Sequence, residues 1–238
     1  MTAKQLDASV LGERAAALVQ PGMLVGLGTG RAANAFIEAL GRRVAGGLAV
    51  RGIPTSRASG ELAVRLGIPL GEFAADRRID ITVDGADEVD PQGNAIKGYG
   101  GALLREKIVA ADSQEFVILI GEEKLVPALG SRGKLPVEVL PFGLPATLRH
   151  LAALGVRANV RMAGSEPAAS DNGNRIVDCA TGTIDRPAEL EASLLAIPGV
   201  VGTGLFLGMA DRVLIQRGGQ VEERLFPKAE QARARTTP

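Results

Sequence analysis

Two spacings of apolar residues alternate along the first 130 positions. Leu6, Val10, Leu11, Ala15, Leu18 and Val19 fall close to helical spacing and predict a helix over 4–20, closed by Pro21-Gly22. Met23–Leu27 is a short apolar strand. Gly28-Thr29-Gly30 turns the chain into a second helix, 31–45, with Ala35, Ile37, Leu40 and Val44 on its apolar side. Strands at Leu48–Ile53 and Ile68–Leu70 flank a helix from Ser59 to Leu66. Ile79–Val83 is a strand, Ala102–Ala111 a helix, and Glu115–Ile120 (EFVILI) the most strand-like run of the chain. Strands that alternate with helices build a parallel sheet covered on both faces. Ligands of such sheets sit beyond the carboxyl ends of the strands. Gly28-Thr29-Gly30, Thr55-Ser56, Asp84 and Gly121-Glu122 lie at such ends and are expected to converge on one crevice.

After residue 130 the rhythm changes. Leu135–Leu140 reads as a strand, Leu144–Leu154 as a helix, and Arg157–Met162 and Arg175–Cys179 as strands around Asp171-Asn172-Gly173-Asn174. Pro187–Leu195 is a helix and Val200–Leu207 a strand. The order is βαββαβ, the split βαβ pattern of ferredoxin-like domains. The fold class is therefore α/β: a Rossmann-like parallel-sheet domain, 1–130 plus 207–238, with a small α+β domain inserted at 131–206. Two last strands, Arg212–Gln216 and Val221–Leu225, are expected to rejoin the first sheet, and the polar tail after Pro227 to fray.

Composition narrows the function by exclusion. Lys plus Arg and Asp plus Glu both number 27, so no net charge recommends nucleic acid or an anionic membrane as a partner. Aromatic residues make up 3% and Trp is absent, against a stacking platform for single strands. The single cysteine, Cys179, excludes an internal disulfide and fits a reducing compartment, where it reads as a buried thiol. The N-terminus lacks an apolar signal core, and no window approaches a membrane span, so the expected location is cytoplasmic.

The candidate chemistry is concentrated in residues 79–110. A dinucleotide fingerprint in Gly26-Leu27-Gly28-Thr29-Gly30 fails, because the third glycine position is Arg31 and Arg51 stands where an acid is needed. Backbone N–H groups at a helix start remain, suited to phosphate or another anion. Asp84, Asp87, Glu88 and Asp90 fit no calcium loop, and helix-cap or turn roles, a common use of Asp, are the alternative to chemistry. Asp84, ending a buried strand, reads as a functional acid with Asp87 as its companion, whereas Glu88 and Asp90 are expected to face solvent. Lys97 precedes Gly98-Tyr99-Gly100-Gly101, a turn that lets backbone approach a ligand while the lysine neutralises developing negative charge. Glu106 is flanked by Leu103, Leu104, Ile108 and Val109 but stands between Arg105 and Lys107. Burial would raise its pKa and neighbouring cations would lower it, a balance suited to moving a proton between carbons. Taken by itself, a glutamate in such a setting is more often a salt-bridged residue of a helix surface. Lys124 is one more cation at a strand end. The only histidine, His150, lies on the second-domain helix and reads as structural, which leaves acid/base work to carboxylates and lysines.

VDGADEVD and IKGYGGALLREKI, with GLGTG upstream and DNGN and IPGVVGTGLF downstream, together closely resemble the A-type ribose-5-phosphate isomerases from about Leu6 to Phe226. The resemblance implies a homodimer or homotetramer that needs no cofactor or metal and interconverts ribose 5-phosphate and ribulose 5-phosphate through an enediolate. It implies Glu106 as the base shuttling a proton between C1 and C2, Asp84 and Asp87 in ring opening and proton movement on oxygens, and Lys97 as the oxyanion stabiliser. It implies substrate contacts from Thr29, Gly30, Arg31, Ala32, Gly85, Ala86, Gly98, Tyr99, Gly100 and Lys124. Three features depart from the family pattern. Arg31-Ala32 replaces Ser-Thr in the G-T-G-S-T loop, Ala8 or Ser9 replaces a basic residue of the first helix, and Tyr99 interrupts the K-G-G-G turn. Arg31 can supply a bidentate phosphate contact in place of what is lost; alternatives are a pocket for a different sugar or sugar phosphate, or a non-catalytic sensor.

Overall fold

The computed structural model describes residues 3–226; the polar tail after Pro227 and the side chain of Ala8 lie outside the described part. The chain runs α1 (Ala3–Ala16), β1 (Leu24–Leu27), α2 (Arg31–Ala45), β2 (Arg51–Pro54), α3 (Arg57–Arg65) and β3 (Ile79–Gly85). A small hairpin follows, β4 (Glu88–Val89) and β5 (Ala95–Ile96), and then α4 (Leu103–Ala111) and β6 (Ser113–Gly121). The next part comprises β7 (Leu135–Val139), α5 (Leu144–Ala153), β8 (Arg157–Val160), a minor hairpin β9 (Met162–Ala163) and β10 (Glu166–Pro167), β11 (Arg175–Ala180), α6 (Pro187–Leu195) and β12 (Val200–Thr203). The described part closes with β13 (Leu205–Phe206), β14 (Arg212–Arg217) and β15 (Gln220–Leu225).

The main sheet has the order β15-β14-β6-β3-β1-β2. Its first five strands in sequence are parallel, and β15 returns antiparallel along β14. Period-2 alternation divides β6 between two cores. Val117 and Leu119 pack with Phe36, Ile37 and Leu40 of α2 and Leu11 of α1, while Phe116, Ile118 and Ile120 pack with Ala110 and Phe206. Both faces are covered, so Phe116–Ile120 is apolar throughout, while Glu115 at the start of the run pairs with Arg212. From β1 the chain proceeds outward to β2, and from β3 it proceeds the other way to β6. The carboxyl ends of β1 and β3 therefore form the switch point where such sheets bind ligands.

The second sheet has the order β12-β7-β11-β8, all antiparallel. Numbered along the chain, that is 4-1-3-2, with α5 and α6 as the two helices of the split βαβ unit. Its core gathers Leu135, Val137, Val139, Leu151, Val177, Cys179 and Leu194. Burial pushes the Cys179 thiol up to about 12, so it is a packing residue. His150 is exposed on α5.

Several expectations need correction. The strand expected at Leu48 begins only at Arg51, and Ile68–Leu70 contributes a single bridge, Leu70 to Gly52. The run Arg157–Met162 breaks at Arg161. Val200–Leu207 is two strands, because the chain changes sheets at Gly204. There the Gly204 N–H donates to Pro136 O (2.7 Å) and its carbonyl accepts from Lys97 N (2.9 Å). A Cβ at 204 would lie 2.3 Å from Lys97 O, so only glycine permits the crossing. β13 then pairs with β5 in a three-stranded sheet, β13-β5-β4.

Glu88 and Asp90 do not face solvent. Glu88 is fully buried and accepts from the N–H groups of Gly130 (2.7 Å) and Arg132 (2.8 Å), tying the hairpin to the segment that enters the second sheet. Asp90 closes the hairpin turn, accepting from Gln92 N, Asn94 N and Asn94 Nδ2, each at 2.9 Å. No described helix is long and apolar enough to cross a membrane.

Candidate active site

A cavity of about 620 Å³ opens at the carboxyl end of the main sheet. The loops after β1, β3, β6 and β14 line it, together with the turn after β5 and one residue of α4. Thr29, Gly30, Arg31 and Ala32 come from the first loop, Gly85, Ala86 and Asp87 from the second, and Lys124 from the third. Lys97, Gly98 and Gly100 form one wall, and Glu106 reaches in from α4. Two expected site residues are not on the wall: Asp84 lies behind it, and the Tyr99 ring turns away toward the core of the second sheet.

At the floor, Lys97 Nζ lies 3.0 Å from Asp84 Oδ2 and 3.3 Å from Glu106 Oε2, and all three side chains are almost wholly buried. Lys97 also donates to Gly85 O. Asp84 Oδ1 accepts from Thr29 N (3.0 Å) and Gly85 N (2.7 Å). The close approach of β1 explains the glycine at 28, where a Cβ would meet Asp84 Oδ1 at 2.3 Å. GLGTG is thus shaped by the carboxylate next to it as much as by any ligand.

Three buried groups with two potential negative charges and one positive cannot all be ionised without cost. Burial raises the Glu106 carboxyl, Asp84 adds to the rise and Lys97 opposes it, leaving its pKa at about 8. Burial likewise pushes Asp84 up against the pull of Lys97 and the two N–H bonds. For Lys97 burial acts downward, but Asp84 and Glu106 outweigh it and hold the ammonium charged with a raised pKa. A group near pH 8 beside a fixed cation can take a proton and return it.

The sequence neighbours of Glu106 take no part in this. Arg105 Nε donates to Asn172 Oδ1 (2.7 Å), and Lys107 pairs with Glu191 (2.6 Å). The helix sends Glu106 into the cavity and both cations to partners elsewhere, so the salt-bridged surface reading fails for Glu106.

Asp87 faces the cavity and its Oδ2 accepts from Tyr99 N (3.0 Å). Lys124 donates to Ala86 O, and burial, with Lys97 and Arg31 nearby, lowers its pKa. Arg31 is exposed at the first position of α2, whose N-cap is Gly30, a residue with no side chain to satisfy the first N–H groups. The cavity wall therefore carries Arg31, Lys124 and the helix-start donors together with Glu106, Lys97 and Asp87. Thr55 and Ser56 do not reach the crevice; they sit behind it, bonded to Thr29 Oγ1 at 2.7 and 2.8 Å. Leu11 and Gln216 do line it and were not anticipated. The strand-end rule would have found Gln216, at the end of β14; nothing in the spacing of α1 singles out Leu11.

The parallel-sheet switch point and the paired carboxylates around a lysine define an acid/base site for an anionic small molecule. The sequence model of ribose 5-phosphate isomerase A (phosphoriboisomerase A) matches residues 51–219, and the chain belongs to that family. It is 51% identical to ribose-5-phosphate isomerase A of Gloeobacter violaceus, over 88% of this chain and 91% of that protein. It is 50% identical to that of Gluconobacter oxydans, over 87% and 91%. The solved ribose 5-phosphate isomerase A of Methanocaldococcus jannaschii superposes with a TM-score of 0.88 at 38% identity, over 94% of this chain and all of that one. A D-ribose-5-phosphate isomerase in complex with phospho-erythronic acid gives 0.89 at 34% identity, over 94% and 100%.

Proposed function

We propose that this chain interconverts ribose 5-phosphate and ribulose 5-phosphate through an enediolate. The observation that carries the reading is Lys97 set between two buried carboxylates at the floor of a cavity whose wall also bears Arg31 and Lys124. Glu106 removes the C2 proton of the open-chain aldose and delivers it to C1. Lys97 stabilises the negative oxygen of the enediolate. Asp87, on the cavity wall, moves protons on the sugar oxygens, first in ring opening and then in carrying the O2 hydroxyl proton to O1 as the enediolate becomes the ketose. Asp84 acts from behind: it fixes the Lys97 ammonium and raises Glu106. Arg31, Lys124 and the N–H groups at the start of α2 hold the phosphate, with Arg31 taking the place of the hydroxyls absent at positions 31 and 32. These cations favour a sugar phosphate over a free pentose.

The same reading places the protein in the cytoplasm as a homodimer or homotetramer, with residues 1–130 and 207–238 forming the catalytic domain and 131–206 the smaller one. Turnover measured with ribose 5-phosphate and with free pentoses tests it. Conversion of ribose 5-phosphate with a large preference over ribose is expected; binding without turnover would sink the proposal in favour of a sensor.

A further inference from the structure

The turn that carries Gly98, Tyr99 and Gly100 is held from outside its own sheet. Arg161, in the break between β8 and β9, donates through Nη1 to Gly98 O (3.0 Å) and Tyr99 O (2.9 Å). The other edge of the guanidinium grips Asp178 of β11, with Nε 3.0 Å from Oδ2 and Nη2 on Oδ1. Asp178 in turn holds Lys134 Nζ at 3.2 Å, and that ammonium lies 4.7 Å from the centre of the Tyr99 ring. The Tyr99 hydroxyl donates to Lys134 O (3.4 Å), closing the circle. Arg161 and Asp178 side chains are 16% and 18% exposed, so this is a largely buried fork rather than a surface pair.

Peptide planarity transmits the grip. In a trans peptide the C=O and the following N–H point in opposite directions. Pulling Gly98 O toward Arg161 therefore aims the Tyr99 N–H the other way, where it meets Asp87 Oδ2 at 3.0 Å. Holding Tyr99 O likewise turns the Gly100 N–H away from Arg161, and Gly100 lines the cavity. Gly98 has φ +102, so the turn has no side-chain sterics of its own to fix it. The side chain at 99 supplies what the glycines lack, anchoring the turn by its ring on the core of the second sheet.

We propose that Arg161, locked by Asp178, is a positioning residue for the isomerisation, holding the Gly98–Gly100 peptides so that Asp87 stays aimed at the sugar oxygens. Tyr99 belongs to this device and not to the substrate pocket. The proposal rests on the isomerase reading of the site, so wild-type turnover is measured alongside. An inactive wild type would refute that reading, while an active wild type with unaffected variants would refute only this one.

The test compares Arg161→Ala, Arg161→Lys and Asp178→Asn with wild type in steady-state kinetics on ribose 5-phosphate, together with thermal melting. Slack in a turn beside the reacting atoms lowers kcat by about 10- to 100-fold for Arg161→Ala. KM should move by less than about twofold, because the phosphate end is built from other loops. Lysine keeps the charge but cannot fork two carbonyls and a carboxylate, so Arg161→Lys should recover only part of kcat. Asp178→Asn should lose kcat in the same direction, and the double variant Arg161→Ala/Asp178→Asn no more than Arg161→Ala alone, since the pair acts as a unit. Unchanged kcat with only a lower melting temperature would overturn the proposal, as would a rise in KM alone or full activity in Arg161→Lys. Failure of all three single variants to fold would overturn it too, marking the pair as a brace of the fold.

Discussion

The backbone N–H of Thr29 donates to Oδ1 of Asp84 over 3.0 Å, joining the glycine loop after β1 to the acidic motif after β3. The bond spans the point where the sheet's connections diverge. Thr29 begins the loop that leads to Arg31, and Asp84 holds the lysine beside Glu106. Replacing Gly28 with alanine would thrust a Cβ to within 2.3 Å of that same carboxylate oxygen. Gly28→Ala is expected to lower kcat by about tenfold or more, since sub-ångström placement governs this chemistry. Steady-state kinetics on the folded variant checks it.

Glu106→Gln keeps the size and the buried setting of the side chain but cannot accept a proton. kcat should fall by about 10²- to 10⁴-fold, the usual worth of a general base, with an unchanged circular dichroism spectrum. Near-normal turnover would remove Glu106 from the mechanism.

The pH profile follows from the same residue. Glu106 must be deprotonated to act, so kcat/KM should rise with pH through an apparent pKa of about 8. Stability should run the other way. The folded-state pKa lies above the unfolded value, so the folded protein binds the extra proton between pH 4.5 and about 8 and loses stability as pH rises through that window. The melting temperature of Glu106→Gln should therefore gain on wild type across the window and hold a constant lead above it. A lead independent of pH would show that Glu106 titrates normally.

Lys97→Met leaves Asp84 and Glu106 facing each other without a cation. Breaking such a buried arrangement costs about 3–5 kcal/mol, and the loss should be greatest at high pH, where both carboxyls would have to ionise. The acidic limb of any remaining activity should move above pH 8, because Lys97 is what holds Glu106 down. Thermal melts and a pH–rate series read both effects.

Arg31→Ala tests the phosphate end. A hydrogen bond to a charged group is worth about 1.5–3 kcal/mol, so KM for ribose 5-phosphate should rise by about 10- to 100-fold with kcat largely kept. An unchanged KM would mean that Lys124 and the helix start suffice.

Much of this protein is legible in its sequence. The apolar run Phe116–Ile120 and the helices around it announce a doubly covered parallel sheet, because burial on two faces leaves no polar positions along that part of the strand. The βαββαβ order of the second sheet follows from local periodicity and turn residues. The DGAD and KGYGGALLREK motifs named Asp84, Asp87, Lys97 and Glu106 together with the family. Local pattern was not enough where a side chain's environment comes from residues distant in sequence. Glu88 looks like a solvated acid, yet its partners are the backbone of residues 130 and 132. Val200–Leu207 looks like one strand, yet Gly204 switches sheets because Lys97 and Pro136 close on it from another part of the chain. Tyr99 looks like a pocket residue and is an anchor.

By itself the sequence determined which residue types stand at which strand ends, and hence the class of chemistry. Only the tertiary structure decided which of them face the cavity and in what charge state. Asp84 lies behind Lys97 rather than on the wall, and Glu106 alone among its charged neighbours points inward. Those outcomes depend on desolvation and on distances of about 3 Å between groups far apart in the chain, which no local spacing encodes.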